Sequence, residues 1–200
     1  MASTRRRRAP DEVRAQALSA AREILLTQGA ASVTLKGVAA RLGMAHGNVT
    51  YHFGSAGGLQ AALAELIILD TITAVEAELV EFRSGRATLD KVVATVFDAF
   101  ATGGAGALIA WLCTSGEQAR VTPFCDAIAE MAERLHADDP AASASDRASA
   151  LILLVILPAL GAALIGAGLT SAMNMPSLAP RLIVEEQLAT LMRPPTHQDQ

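Results

Sequence analysis

Gly43 divides two short segments of helical apolar spacing within residues 34–53, TLKGVAARLGMAHGNVTYHF, and this division restricts the chain more than any other feature. Val38, Ala39 and Leu42 form one apolar face before it. Glycine at the break ends that helix, because a C-terminal residue that needs positive φ costs least without a β-carbon. Met44 is expected as a buried turn residue, and a second helix is expected to carry Ala45, Val49 and Phe53 inward. Ala39 is small, as it must be where two helices joined by so short a turn cross closely. This is the layout of a helix-turn-helix, whose second helix enters the DNA major groove.

At 100° per residue, with Val49 inward, Gly47 and Tyr51 point most nearly outward. Asn48 and Thr50 lie to either side, and His46 and His52 sit at the margins. Asn can bond adenine through two atoms, Thr and Tyr can reach phosphate or base edges, and Gly lets a backbone approach. The outward face carries no carboxylate. Thr34 is placed to cap the preceding helix, with Lys36 in its first turn near where a phosphate would sit.

Charge is divided along the chain in the same sense. The net charge of the 200 residues is −4, but residues 1–56 hold eight basic and three acidic residues, net +5, and the remainder holds eight and seventeen, net −9. A basic first quarter on an acidic body is the electrostatic footprint of a nucleic-acid-binding head. The run Arg5, Arg6, Arg7 and Arg8 has nothing to bury and reads as a disordered arm that contacts phosphate or the minor groove. It leads to Pro10, Asp11 and Glu12 rather than to an apolar segment, so no secretory signal is expected and the protein is read as cytoplasmic. Cys113 and Cys125 are too few and too far apart for a disulfide framework, and read as reduced thiols.

Hydrophobic residues make up 52% of the chain and mean hydropathy is +0.35, so most of it should be buried against itself or a second subunit. Val13, Ala17, Ala20, Ala21, Ile24 and Leu25 mark a first helix closing at Gly29. Ser55 should cap a long fourth helix over 57–82, and a fifth is expected over 89–100. Residues 103–106 read as a break, followed by a short helix from 108 and another over 124–136. From 148 to 180 no residue is charged. Residues 149–169 could be read as a membrane span, but Pro158, Gly161, Gly166 and Gly168 interrupt them, and a helix buried in a subunit interface is the favoured reading. A last helix over 178–192 would pair with it.

The spacing S-x-T-L-x-x-V-A-x-x-L-G-M-x-x-G-N-V-x-Y-H-F-x-S-x-x-x-L, within residues 29–59, resembles the TetR family of transcriptional regulators. The resemblance implies an all-α homodimer with a three-helix head on palindromic operator DNA and a helical body that binds an effector. It makes Thr34, Lys36, Asn48, Tyr51 and His52 candidate DNA contacts. Thr50 stands where the family commonly has tyrosine and Ala56 where it commonly has a phosphate-binding lysine; the arginine arm can supply phosphate attraction instead.

Two domains are therefore expected, a head over 1–56 and an effector-binding and dimerisation body over 57–200, with dimer contacts near 148–169 and 178–192. Phe97, Phe100, Trp111, Phe124 and Met131 form the pool of cavity residues, with Glu117, Arg120 and His136 as polar anchors, suited to an apolar or amphipathic small molecule. No nucleophile, zinc or dinucleotide motif is present, so no catalytic residue, metal or cofactor is expected. The leading expectation is a ligand-released repressor. The alternatives are a helical membrane-anchored protein using 149–169, or a small-molecule carrier that binds no DNA.

Overall fold

Caps and glycines set the helix boundaries in the computed structural model, which describes residues 10–116, 118–137 and 144–192. In order these are α1 (Pro10–Gln28), α2 (Leu35–Leu42), α3 (His46–Phe53), α4 (Ala56–Arg83), α5 (Leu89–Phe100) and α6 (Ala105–Thr114). There follow α7 (Thr122–Ala137), α8 (Ala144–Gly161), α9 (Ala167–Ala172) and α10 (Ala179–Met192). No strand occurs among the described residues, and the protein is all-α. Thr34 accepts the Gly37 N–H on its hydroxyl at 3.0 Å and Ser55 accepts that of Gly58 at 3.0 Å, so α2 and α4 begin where a side chain satisfies an otherwise unpaired donor. Gly43 ends α2 at φ 62°, with its N–H directed to the carbonyls of Ala39 and Ala40.

Two apolar clusters share α4. The first packs Ala17, Ala21, Ile24 and Leu25 of α1 with Val38, Ala39, Val49 and Phe53, then extends to Leu59, Leu63 and Ile67 of α4 and to Leu108 and Leu112 of α6. The second joins Val75 of α4 with Val93, Val96, Phe97 and Phe100 of α5, Met131 of α7, Ala159 of α8 and Leu188 of α10. At 1.5 Å per residue the 28 residues of α4 run for about 42 Å, long enough to serve both. The apolar face expected for α1, from Val13 to Leu25, is buried as a whole.

The sequence reading needs correction in four places. Ala45 is exposed rather than inward, because it occupies the N-cap of α3 with extended backbone instead of the first inward turn. Met44 is half-buried, not buried. The break over 103–106 is shorter than expected: Gly104 adopts φ 85°, and α6 begins at Ala105 with Gly106 close against the side chain of Ala163. The uncharged stretch is not one regular helix either. Pro158 lies inside α8 and a π-helical segment, Ala162–Gly166, joins α8 to α9.

Because Leu108 is almost fully buried within the head's core, that core should depend on α6 as well as on α1–α4. Leu108→Ala is expected to destabilise the protein by about 2–5 kcal/mol, read as a lower midpoint in urea. Residues 1–56 expressed alone should lack the helical circular dichroism of the intact head.

Candidate DNA-contacting surface and effector cavity

Helix α3 is held from beneath and free above. Val49 is fully buried and Phe53 nearly so, while Tyr51 is 83% exposed and His46, Gly47 and Asn48 are also exposed. Thr50 is half-buried, and its hydroxyl donates to the His46 carbonyl at 3.0 Å. His52 is half-buried with its ring edge-on to Tyr51, 5.4 Å between centroids. Arg14 of α1 fixes the far end of α3: its guanidinium lies 4.9 Å from the centre of the Phe53 ring and donates to the His52 carbonyl at 3.2 Å. A cation at the last carbonyls suits the negative end of the helix dipole.

Gly47 has no internal reason to be glycine. It does not have positive φ, and a β-carbon there would meet nothing within 4 Å. Glycine in a helix costs roughly 0.5–1 kcal/mol relative to alanine, so its place on the outermost line of α3 is a cost with no gain inside the chain.

Several cations counted toward the basic head are engaged within the protein, which the sequence alone could not reveal. Arg22 pairs with Asp70 of α4 at 2.6 Å, Arg41 pairs with Glu23 at 2.6 Å, and Arg14 is committed to α3. Lys36 is exposed in the first turn of α2 and has no ion-pair partner among the described residues. Thr34 is exposed beside it, its hydroxyl oxygen capping α2. Arg5, Arg6, Arg7 and Arg8 lie outside the described residues.

The body contains an apolar cavity of about 610 Å³ between α4, α5, α7, α8 and the end of α10. Of the pool read from the sequence, Phe100, Phe124 and Met131 line it. Phe97 is placed instead in the surrounding core, and Trp111 packs half-buried against the head's cluster. Glu117 lies outside the described residues, as does the side chain of His136. Sequence reasoning missed most of the wall, which is aliphatic and supplied by Ile68, Val75, Val92, Val96, Ile152 and Val155. Helical spacing marks such residues as buried without telling a packed face from one that borders a void.

Arg120 is not in that cavity. It reaches across to the start of α4, where it donates to the Gly57 carbonyl at 2.7 Å. The approach is close: a β-carbon on residue 57 would fall 2.5 Å from the guanidinium. Four residues further on, Phe124 meets Phe100 edge-on, 6.0 Å between ring centroids, at the end of the cavity nearest the head. One short segment therefore touches both the cavity and the first turn of α4.

Outside the cavity, α8 to α10 present a broad apolar face. Leu157 is 60% exposed and Ile165 61%, and Leu153, Leu164, Leu169, Leu178, Leu182 and Ile183 are exposed with them. Two helical stretches, Ala56–Arg83 and Arg147–Ala172, are long and apolar enough to cross a membrane by length and composition.

Residues 17–63 match the family model described as bacterial regulatory proteins, tetR family. The fold is also similar to that of the multidrug binding protein EbrR complexed with imidazole, at 20% identity and a TM-score of 0.62, covering 93% of this chain and 98% of that one. A TetR-family transcriptional regulator from Pectobacterium atrosepticum is similar at 17% identity and a TM-score of 0.63, covering 92% and 94%. No curated protein matches in sequence. The chain is an all-helical protein with an N-terminal helix-turn-helix. Residues 17–63 match that family's N-terminal model, and the whole chain shares the fold of the two solved structures.

If Gly47 is kept for close approach of a partner, Gly47→Ala should raise the thermal midpoint slightly, since about 0.5–1 kcal/mol of helix propensity is gained. The same variant should bind DNA more weakly. A variant that gains stability and keeps full DNA affinity would remove the reason given for this glycine.

Proposed function

We propose that the protein is a cytoplasmic, ligand-responsive transcriptional repressor that binds palindromic operator DNA as a homodimer and leaves it when an apolar or amphipathic small molecule fills the body. The observation that carries this reading is the outer face of α3: exposed His46, Gly47, Asn48 and Tyr51 above a buried Val49 and Phe53, with a glycine that nothing in the chain requires. Asn48 and Tyr51 would read base edges, Thr34, Lys36, Thr50 and His52 would lie along the flanking phosphates, and the Arg5–Arg8 arm would add salt-dependent attraction. No catalytic role is needed.

The exposed apolar face of α8–α10 supports the dimer. Its leucines and isoleucines are exposed on all three helices, and exposed apolar patches mark interaction surfaces. A two-fold pairing there would set two α3 helices toward successive major grooves, about 34 Å apart. An effector acts only if it binds the DNA-competent and DNA-incompetent separations unequally. The path from Phe124 through Arg120 to Gly57 is where we expect cavity filling to reach the head.

Gel shifts with DNA from upstream of the protein's own gene test the reading. Asn48→Ala and Tyr51→Ala should each weaken the specific complex by about tenfold or more without moving the thermal midpoint, since both side chains are exposed. A wild-type chain that forms no specific complex at moderate salt, and a deletion of residues 1–9 without effect, would defeat it. Ligand binding with no DNA complex would favour the carrier reading.

Leu157→Arg should convert a dimer into a folded monomer by sedimentation and weaken operator binding with it. Recovery of the wild-type protein only in detergent-extracted membranes would instead favour the anchor reading of 149–169.

A further inference from the structure

The cavity has a direction as well as a volume. Its wall on α4 runs from Ile68 to Arg83, about 22 Å at 1.5 Å per residue, so the void is long rather than round. At the end nearest the head it is closed by buried Ile68 and Phe100 with Phe124. At the other end it is bordered by exposed Arg83 and Met192, which marks the end that meets solvent. Between them the lining is apolar. Thr71 is an exception, and its hydroxyl already donates to the Ile67 carbonyl at 2.7 Å.

The charges are as one-sided as the shape. Arg83 is the charged group among the described lining residues, and no carboxylate is among them. Arg147, next to the lining residue Ala148, adds a second cation near the same end and donates to the Leu191 carbonyl at 2.8 Å. The Glu81 carboxylate, two residues before Arg83, is held through both oxygens by Arg86 at 2.7 and 2.8 Å, so its charge is already balanced. Arg83 itself is engaged within the protein, but a guanidinium has five N–H donors in a planar fork and can take a second acceptor beside the first.

Resting on the reading of this cavity as the effector site, we propose that its ligand is an elongated aliphatic molecule with a carboxylate head. The tail lies along α4 toward Phe100 and Phe124, and the head stays at the solvent end beside Arg83. A cationic head at the same end would face Arg83 and Arg147 with no carboxylate among the described lining residues to offset them, so cationic amphiphiles are disfavoured. A carboxylate at Arg83 keeps part of its hydration and gains a charge-assisted hydrogen bond.

Three probes with one tail and three heads test this: dodecanoate, 1-dodecanol and dodecyltrimethylammonium, titrated calorimetrically into the full-length protein below micelle-forming concentrations. Dodecanoate should bind once per chain and about tenfold tighter than the alcohol, the size of one hydrogen bond to a charged group. The ammonium should bind more weakly than the alcohol. Arg83→Gln, an exposed substitution, should bring dodecanoate to the affinity of the alcohol and leave the alcohol unchanged. The proposal is overturned if the ammonium binds as tightly as the alcohol, if Arg83→Gln leaves the preference for dodecanoate intact, or if none of the three binds. Operator release is read separately by gel shift. A probe that binds in the stated order yet leaves the DNA complex intact refutes the regulatory coupling and upholds the chemistry of the cavity.

Discussion

Burial of α4 on two sides is the interaction on which the rest of this molecule depends. Leu59, Leu63 and Ile67 close the core beneath α1–α3, and Val75 about two turns later belongs to the core of the body. A helix seated so firmly at one end cannot shift at the other without strain, since packed interiors are close to crystalline density and resist local accommodation. The salt bridge from Arg22 to Asp70 adds a polar strut on the outside of the same junction, exposed enough to contribute little energy while still favouring one orientation. The head and the body are therefore mechanically continuous although they are separable in sequence.

Much of this architecture could be read in advance, for physical reasons that differ between the two halves. In the head, short helices meet at obligatory punctuation: Thr34, Gly43 and Ser55 each satisfy or permit a backbone geometry that few other residues manage as well, so their positions fix boundaries. The same local logic placed the inward face of α1 and the outward position of Tyr51. It misjudged Ala45, because a strict period of four was carried past the point where the helix begins.

The body was harder because its information is not local. A helix such as α8 is apolar on nearly every side, so its sequence cannot say which face borders the cavity, which touches α10 and which is left bare. Val155 and Leu157 are both aliphatic, yet one lines a void and the other faces outward. Charge counting failed in a similar way, since Arg22 and Arg41 add to the formal charge of the head while their partners, Asp70 and Glu23, cancel it at close range. Aromatic residues drew attention to Phe97 and Trp111, but a cavity of this kind is bounded by whatever fails to fill it, and here that is mostly valine, isoleucine and leucine.

The contact between Arg120 and Gly57 ties two distant positions to each other's size. With the guanidinium 2.7 Å from the Gly57 carbonyl, residue 57 has no room for even a methyl group unless residue 120 withdraws. A shorter side chain at 120 would relax that limit, and the opening turn of α4 could then accept better helix formers. Alanine at residue 57 would therefore displace the end of the Arg120 side chain and loosen its hold on the start of α4, so the size of the first residue sets how closely the second can dock.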